Sequence, residues 1–351
     1  MIRKSTITRV GLMIALSLTA KTLQAQDIHF TQFNAAPLVL NPAFTGDFDG
    51  QWRAAGIYRN QWASVTAPYI TYGASFDAPL VYDLSIDDYL AGGIQLTNDK
   101  AGDGNLTNFS ALASVAYHKF FGVQEHSVKA LSVGFQGGYS EQSIDLSKLY
   151  FGDEFYNGSF NSGTGVETQG LNNRVHYFTV NAGISWAQMT STTFGYQLGV
   201  GANNINQPMN GFEKTPNQQN NGLGMRFNGQ AGFILYTSEK FSIRPGVLFQ
   251  SQATATEIIG GSEFHYIVSN PEVRSFATAV FLGLWYRTGD AAMVVVGGEY
   301  KSFRLGISYD YNTSDLNKAS NGNGGYELSI RYIMPSPLDF AHKLVYPCSR
   351  F

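Results

Sequence analysis

The stretch WRAAGIYRNQW, from Trp52 to Trp62, decides the fold that this sequence predicts. Its even-numbered positions are aromatic near both ends and small in the middle, whereas its odd-numbered positions include Arg53, Arg59 and Gln61. Because successive side chains of a strand point to opposite faces, one face is predicted to be apolar and the other polar. About ten tilted residues rise roughly 25 Å, the height of the apolar band on an outer-membrane barrel. The stretch therefore predicts a membrane-spanning β-strand with a tryptophan in each interfacial girdle.

The same alternation recurs along the chain. In PYITYGASFDAP, for example, Tyr72 and Phe76 share one face while Thr71 and Asp77 share the other. An even number of strands is expected of a bacterial single-chain barrel, so the sequence predicts an all-β fold, a transmembrane antiparallel β-barrel of about 14 strands. The pattern is weakest between residues 255 and 300, where both faces are apolar or mixed. The alternating segments start near residues 52, 68, 90, 106, 128, 174, 192, 222, 240, 255, 276, 291, 302 and 324.

Polar stretches rich in glycine and asparagine are consistent with this topology. They lie at residues 98–105, 143–173, 204–221 and 313–323, after the third, fifth, seventh and thirteenth segments. If the N-terminus is periplasmic, odd-numbered strands run outward and the long loops that follow them are external. A soluble β-sandwich or propeller would also alternate, but low charge and long strands favour the barrel.

Composition narrows the class of protein. Charged residues make up 14% of the chain, well below the roughly 25% of an average soluble domain. A net charge of −3 without a cluster of lysine and arginine gives no footprint for nucleic-acid binding. A single cysteine, Cys348, excludes an intrachain disulfide and a cysteine-based zinc site.

The chain begins with a predicted secretory leader. Arg3, Lys4 and Arg9 precede an apolar run at residues 10–18, and small and polar residues follow as far as Ala25. The apolar run is too short to span a membrane, so we expect cleavage after Ala25. The predicted organisation is a leader at 1–25, an N-terminal lumen or periplasmic segment at 26–51, the barrel at 52–334 and a short periplasmic C-terminal tail at 335–351.

No motif for catalysis or metal binding emerges from the sequence. It has no Walker loop, nucleophile elbow or HExxH, and its six histidines lack ligand spacing. The DFDG of residues 47–50 faintly resembles a calcium loop, but the remaining ligands are missing and a turn explains it better. Asp99 and Asp103 are interpreted as solvated loop carboxylates. We therefore expect no enzymatic activity, no cofactor and no metal site.

Polar residues on the inward faces are expected to line the lumen. The arginines among them would either line a pore or pair with inward carboxylates, and pairing is the simpler interpretation. The predicted lumen residues are Arg53, Arg59, Gln61, Asp77, His118, Arg304, Asp310 and Arg331.

The segment before the first strand does not alternate. QDIHFTQFNAAPLVLNPAFTG, residues 26–46, is apolar and aromatic, and Pro37 and Pro42 interrupt any helix. Together with the YRNQW and PYITYGASFDAPL that follow, it resembles the PorP/SprF family, outer-membrane proteins of the type IX secretion and gliding machinery of Bacteroidota. The C-terminal PCSRF resembles the family's C-P-R-F ending, with Ser349 in place of proline. The family pattern is matched at Gln26, Asp27, Phe30, Thr31, Gln32, Phe33, Pro37, Asn41, Pro42, Ala43, Phe44, Gly46, Tyr58, Arg59, Asn60, Gln61, Trp62, Asp77 and Pro79.

This resemblance implies a location and a function. The protein would be a non-enzymatic component of the cell outer membrane that helps export a large adhesin, or anchors it at the surface, by binding its C-terminal domain in support of gliding or adhesion. The implied partners are outer-membrane lipid, the adhesin and other type IX secretion or gliding components. The alternative is an outer-membrane diffusion channel or hydrophobic-solute transporter, in which inward polar side chains line an aqueous path.

Two sets of residues are candidates for partner binding. The opening segment would either plug the barrel or dock partners, and its candidates are Phe30, Gln32, Phe33, Asn41, Pro42 and Phe44. The loop at residues 143–173 would form either a partner site or a self-packed lid. Its candidates are Tyr150, Phe151, Phe155, Tyr156 and Phe160.

Overall fold

Fourteen strands close into one antiparallel barrel, which confirms the predicted fold class and strand number. The computed structural model describes residues 28–335 apart from 66, 86, 125–126, 157, 161–164, 215–221, 270–277 and 316. The predicted leader, residues 26–27 and the predicted tail beyond residue 335, with Cys348, lie outside the described residues. Among the described residues, none of the helices has the length and apolar character needed to cross a membrane.

The first barrel strand pairs with the last. Their register runs from Trp52↔Met334 to Gln61↔Gly325, so the sheet has no free edge. A short hairpin, β6 (Phe155–Tyr156) with β7 (Ser159–Phe160), lies outside the barrel in the loop after β5. The barrel strands are β1 (Trp52–Gln61), β2 (Tyr69–Tyr82), β3 (Asp88–Ala101), β4 (Leu106–Gln124), β5 (Ser127–Ser143), β8 (Arg174–Met189), β9 (Phe194–Asn203), β10 (Arg226–Tyr236), β11 (Phe241–Gln252), β12 (Ala255–Ile267), β13 (Ala279–Arg287), β14 (Ala291–Tyr300), β15 (Phe303–Asn312) and β16 (Asn323–Met334).

The helical elements among the described residues are all short. Four-residue α-helices occupy Pro37–Leu40, Val166–Gln169 and Asn317–Ser320. Single 3-10 turns occupy Phe33–Ala35, Pro42–Phe44, Leu146–Lys148 and Gly152–Glu154. The barrel alone therefore provides the scaffold that positions the other elements.

The two faces of the strands differ as the alternation predicts. Along β1, Arg53, Ile57 and Arg59 are buried inside the barrel, whereas alternate residues are more accessible. An exposed apolar band of this extent is expected to contact lipid. Its large members, one from almost every strand, are Phe76, Leu96, Val115, Phe135, Phe178, Val200, Phe227, Val247, Ile258, Leu284, Val296, Ile307 and Leu328.

Aromatic clusters mark both ends of β1. The ring of Trp52 lies 5.7 Å from that of Phe76 and 5.1 Å from that of Tyr332. At the other end, Trp62 meets Tyr69 edge to face at 5.1 Å. These are the positions where interfacial aromatic girdles are expected.

Two sequence-based expectations about the loops are wrong. Residues 98–101 belong to β3, so the connection to β4 is only 102–105, and Asp99 is a strand residue that accepts a hydrogen bond from Thr71 Oγ1 at 2.6 Å. Polar residues at the end of a strand read as a loop because the lumen in this region is polar. In addition, the connection between β12 and β13 spans residues 268–278, at the end of the barrel where short connections were expected. The strand starts agree with prediction to within four residues.

The mixed pattern between residues 255 and 300 has a structural cause. Inward residues of β13 and β14, among them Trp285 and Met293, form an apolar cluster with Phe33 and Leu40 from the segment that precedes β1. The rings of Phe33 and Trp285 meet edge to face, with centroids 5.1 Å apart. Both faces of these strands are apolar because one face contacts lipid and the other packs against a protein segment inside the barrel.

Candidate functional site

Residues 28–51, here called the luminal segment, lie inside the barrel. The end of the barrel that carries the connections 144–173 and 204–225 is called the loop end, and the opposite end is called the turn end. At the loop end, Arg226, the first residue of β10, donates a hydrogen bond from Nη1 to the Ile28 carbonyl at 3.0 Å. At the turn end the segment continues into β1 at Trp52. The luminal segment therefore runs along the length of the lumen.

Two prolines and an asparagine determine the shape of the luminal segment. Pro37 and Pro42 each occupy the first position of a helical turn, where the missing backbone N–H costs nothing. Between them, Asn41 is fully buried, and its Oδ1 accepts a hydrogen bond from the Ala43 N–H at 2.9 Å. The segment is compact and irregular because proline and capping residues replace the hydrogen bonds of a strand.

Side chains of the barrel wall satisfy the backbone carbonyls of these turns. Arg226 Nη2 donates to the Val39 carbonyl at 3.1 Å, and Asn228 Nδ2 donates to the Leu40 carbonyl at 2.9 Å. A buried carbonyl without a partner would be costly. The polar wall at this height therefore stabilises irregular backbone inside the barrel.

Glycines let the luminal segment approach the wall closely. A Cβ at Gly183 would overlap the Asn41 side chain, and a Cβ at Gly134 would overlap the Pro42 carbonyl group. Asn41 Nδ2 reaches past Gly183 to the backbone carbonyl of Ile184 at 3.2 Å. Any larger residue at these two strand positions would displace the segment.

A charged cluster holds the luminal segment at the loop end. We call Thr31, Gln32, Arg59, Asp310 and Glu327 the loop-end cluster. The two carboxylate oxygens of Glu327 accept the backbone N–H groups of Thr31 at 2.7 Å and Gln32 at 2.8 Å. Arg59 forms ion pairs with both Glu327 and Asp310, and the three charged side chains are at most 2% exposed. The Thr31 hydroxyl donates to Asp310 at 2.8 Å.

More arginines surround the start of the segment. Arg287 forms ion pairs with Glu257 at 3.1 Å and Asp290 at 3.0 Å. Burial, followed by the charges of Arg287, Arg59 and Arg226, lowers the pKa of His29 well below its usual value. The His29 ring is therefore neutral at pH 7 and adds no further positive charge to this end of the lumen.

A second cluster holds the segment at the turn end. The Asp77 carboxylate pairs with Arg53 at 2.7 Å and accepts the Gly46 N–H at 2.7 Å. Arg53 also donates to the Phe44 carbonyl at 2.9 Å. His118 lies 2.7 Å from the Thr45 carbonyl through Nε2. Both ends of the segment are thus held by buried polar groups of the wall.

Asp47 gives this attachment a pH dependence. Burial raises the pKa of its carboxyl from 3.8 to about 6, although Arg53 and a hydrogen bond from Gln197 oppose the shift. A carboxyl whose pKa is higher in the folded state stabilises the fold fully below the unfolded pKa. That stability decreases as the pH rises from about 3.8 to about 6 and is lost above this range.

We therefore expect Asp47→Asn, which mimics the neutral acid, to gain stability relative to the wild type as the pH rises. Two pKa units correspond to about 3 kcal/mol in the free energy of unfolding. The measurement is chemical unfolding of both proteins in detergent between pH 4 and pH 8. A difference between the two proteins that stays constant over this range would contradict the assignment.

The predicted candidates occupy two separate places. Phe30, Gln32, Phe33, Asn41, Pro42 and Phe44 are all buried within the barrel. In the loop after β5, Tyr150, Phe155 and Tyr156 are 68%, 54% and 70% exposed. Phe151 is half-buried, and Phe160 pairs with Phe155 through the backbone of the β6–β7 hairpin. The structure does not bring the two sets together.

The predicted lumen residues all point inward. Gln61 accepts a hydrogen bond from Arg59 at 3.3 Å, and Arg304 pairs with Glu263 at 2.7 Å and Glu299 at 2.6 Å. Arg331 is 7% exposed and forms no hydrogen bond or ion pair with the described residues. Within the described part of the chain, no group of three or more His, Cys, Asp or Glu side chains could hold a metal ion.

Sequence reasoning missed several residues that hold the segment. The alternation alone places Glu327 on the inward face of the last strand without indicating its partners, and it gives no reason to select Arg287, Gly134 or Gly183. One sequence feature could have identified Glu327. It is an inward carboxylate on the last strand, which pairs with β1 when the barrel closes and so lies opposite the inward Arg59. The glycines carry no such signal, because their role depends on Asn41 and Pro42.

Comparisons with known proteins place the chain. The family model of the type IX secretion system membrane protein PorP/SprF matches residues 22–332. No curated protein matches the sequence significantly. Among solved structures, the Pseudomonas putida toluene transporter TodX is 10% identical with a TM-score of 0.46, covering 87% of this chain and 94% of its own. The Ralstonia pickettii toluene transporter TbuX is 10% identical with a TM-score of 0.44, covering 85% of this chain and 92% of its own.

The family match spans almost the whole described barrel and includes the luminal segment. Transmembrane β-barrels of this kind reside in bacterial outer membranes. The chain is thus an outer-membrane β-barrel that belongs to the PorP/SprF family of type IX secretion system membrane proteins.

Proposed function

We propose that this protein is a non-enzymatic binding component of type IX secretion that helps export a large adhesin, or anchors it at the cell surface, through the adhesin's C-terminal domain. The observation that carries the proposal is the aromatic surface of the loop after β5, combined with an occupied lumen. In this proposal the loop end faces the exterior, as expected of the longer connections of outer-membrane barrels. Support of gliding or adhesion would follow from the adhesin that is bound.

The loop after β5 has its own internal structure. Glu154 is 1% exposed, and its carboxylate accepts the Thr168 hydroxyl at 2.6 Å and the Phe151 N–H at 3.2 Å. A backbone hydrogen bond from Asn172 to Phe212, at 2.6 Å, joins it to the connection between β9 and β10. Such ordering lowers the entropic cost of binding a partner.

Three aromatic rings remain exposed on this ordered loop. More than half of the surface of each of Tyr150, Phe155 and Tyr156 is accessible. Exposed tyrosine and phenylalanine on a preorganised surface are typical of binding hot spots. Their position favours a partner surface over a lid that only packs against itself.

The occupied lumen favours binding over diffusion. In this proposal the luminal segment closes the barrel, and its six candidate residues contribute to closure rather than to docking. A diffusion channel or hydrophobic-solute transporter would need this segment to move aside, because most of its side chains are buried inside the barrel. Other type IX secretion components and outer-membrane lipid are the remaining proposed partners.

Recovery of the exported partner tests the proposal. A tagged full-length protein is purified from its own outer membrane, beside the double variant Tyr150→Ser and Tyr156→Ser. Loss of two hot-spot tyrosines is expected to reduce the recovered adhesin at least about tenfold. The control is Tyr300→Ser, which removes a tyrosine that is 60% exposed at the turn end.

Two outcomes would count against this function. One is equal recovery of the adhesin by the loop variant and the wild type. The other is a wild-type purification that contains neither an exported adhesin nor a secretion component.

A further inference from the structure

A cavity of about 50 Å³ lies between the luminal segment and the strands β1, β9, β10, β11, β13 and β16. Apolar groups, including Phe33, Phe44 and Trp285, form one part of its lining. Cationic and amide groups form another part, with Arg244 from β11, Arg331 from β16 and Gln230 from β10. The cavity thus joins an apolar wall to a set of hydrogen-bond donors.

Arg331 is the unusual member of this lining. It is 7% exposed, yet it forms no hydrogen bond or ion pair with the described residues. A buried charge of this kind is costly unless it is paired. By contrast, Arg53, a buried arginine on the neighbouring strand β1, forms an ion pair with Asp77 at 2.7 Å.

Neighbouring charges do not compensate Arg331. Arg53, Arg244 and Arg304 all lie close enough to repel it, and Glu299 is its main attractive neighbour. The Glu299 carboxylate is already bound to Arg304 at 2.6 Å. The potential at this side of the cavity is therefore positive.

Gln230 supplies a second donor that lacks an acceptor. Its Oε1 accepts a hydrogen bond from Asn41 Nδ2 at 3.3 Å, which fixes the orientation of the amide. Its Nε2 is buried and has no hydrogen-bond partner. A buried unsatisfied donor and a buried guanidinium without an ion-pair partner thus line the same cavity, which indicates a site for an acceptor.

We propose that this cavity binds a single carboxylate group. A carboxylate offers two oxygens that match the planar fork of a guanidinium, and a third lone pair can accept from Gln230 Nε2. The carbon substituent of the ligand would contact the apolar wall at Phe33 and Trp285. The volume suits a small acid or the end of an extended acidic ligand, since a cavity of about 10–15 Å³ on the same measure holds one water molecule.

Fluorine NMR of trifluoroacetate with the purified full-length protein in detergent tests this site. We expect saturable line broadening with a dissociation constant on the order of millimolar, because the ligand has few atoms with which to contact the protein. Acetate should displace the probe, whereas sodium chloride at the same concentration should not. N-acetylglycine in the same competition distinguishes a peptide chain end from a free small acid as the source of the carboxylate, and displacement by either supports the site.

Arg331→Gln is expected to weaken binding at least about tenfold, because one charge-assisted bond is worth about 1.5–3 kcal/mol. Arg331→Lys should retain part of the affinity. The matched control is Arg174→Gln, which changes an exposed arginine on β8. Equal binding by Arg331→Gln and the wild type, or displacement by chloride as strong as by acetate, would overturn the proposal. If Arg331→Gln does not fold, the wild-type competition and Arg331→Lys still decide, since absence of saturable binding to the wild type also overturns it.

Discussion

Replacement of Glu327 by alanine is expected to destabilise the folded barrel by about 3–5 kcal/mol, the usual effect of removing one partner from a buried ion pair. Glu327 is fully buried, and it accepts the backbone N–H groups of Thr31 and Gln32 as well as the charge of Arg59. The variant leaves Arg59 with Asp310 as its remaining ion-pair partner in the loop-end cluster. The free energy of unfolding in detergent is the measurement.

The same variant should loosen the luminal segment at the loop end. Two buried N–H groups lose their acceptors, and each unsatisfied group costs about 1–3 kcal/mol. Limited digestion with chymotrypsin reports the effect, because the segment offers Phe30, Phe33 and Phe44 as cleavage sites but contains no lysine or arginine. We expect faster cleavage of the segment than in the wild type.

Two further variants serve as comparisons. One removes the charge of Glu327 but keeps the shape of its side chain, and the other removes an exposed ion pair elsewhere on the barrel. Glu327→Gln keeps one acceptor oxygen and should fall between alanine and the wild type. Glu141→Ala removes a carboxylate that pairs with Arg174 at 3.3 Å on the exposed side of the barrel. Exposed pairs contribute about 0–1 kcal/mol, so this control should be nearly silent. If Glu327→Ala lowers the free energy of unfolding by less than about 1 kcal/mol, the loop-end cluster does not hold the luminal segment in place.

The sequence predicts contacts between neighbouring strands better than contacts across the barrel seam. Arg53 and Asp77 sit directly opposite each other in the hairpin of β1 and β2, and their inward positions follow from the alternation alone. Arg59 and Glu327 are also directly opposite, but they belong to the first and last strands. Their pairing depends on where the sheet closes, and no local pattern specifies that register.

The luminal segment explains the features of the strands that the sequence alone does not predict. The inward face of β13 and β14 is apolar because Phe33 and Leu40 lie against it. An observer of the strands alone sees two apolar faces and cannot tell which contacts lipid. For the same reason Gly183 has no meaning in the sequence until Asn41 is known to lie against it.

Removal of the luminal segment is expected to turn the closed barrel into a conducting one. A barrel of 14 strands lies between small barrels filled by their own side chains and porins of 16–18 strands that enclose water. Without residues 28–46 the inward polar side chains, such as Arg59 and Glu327, would border an aqueous path. A planar bilayer should show a stable ion current for the shortened protein and none for the intact one.

Removal should also reduce heat stability. The segment buries Phe30, Phe33, Leu38, Leu40 and Phe44. Full burial of each such side chain contributes about 1.5–3 kcal/mol. The shortened barrel should therefore unfold at a lower temperature, which a gel-shift assay after graded heating measures.

A point variant reproduces this opening without shortening the chain. Gly183→Val places a side chain where Asn41 lies, so it should displace the segment and produce intermittent current. Gly229→Val is the matched control, because a Cβ at this strand glycine would meet only Phe249 at 3.8 Å. The contradicting outcome is a shortened protein that keeps the heat stability of the intact one and passes no current. The luminal segment would then neither close nor stabilise the barrel. The occupied lumen would no longer favour a binding component over a channel.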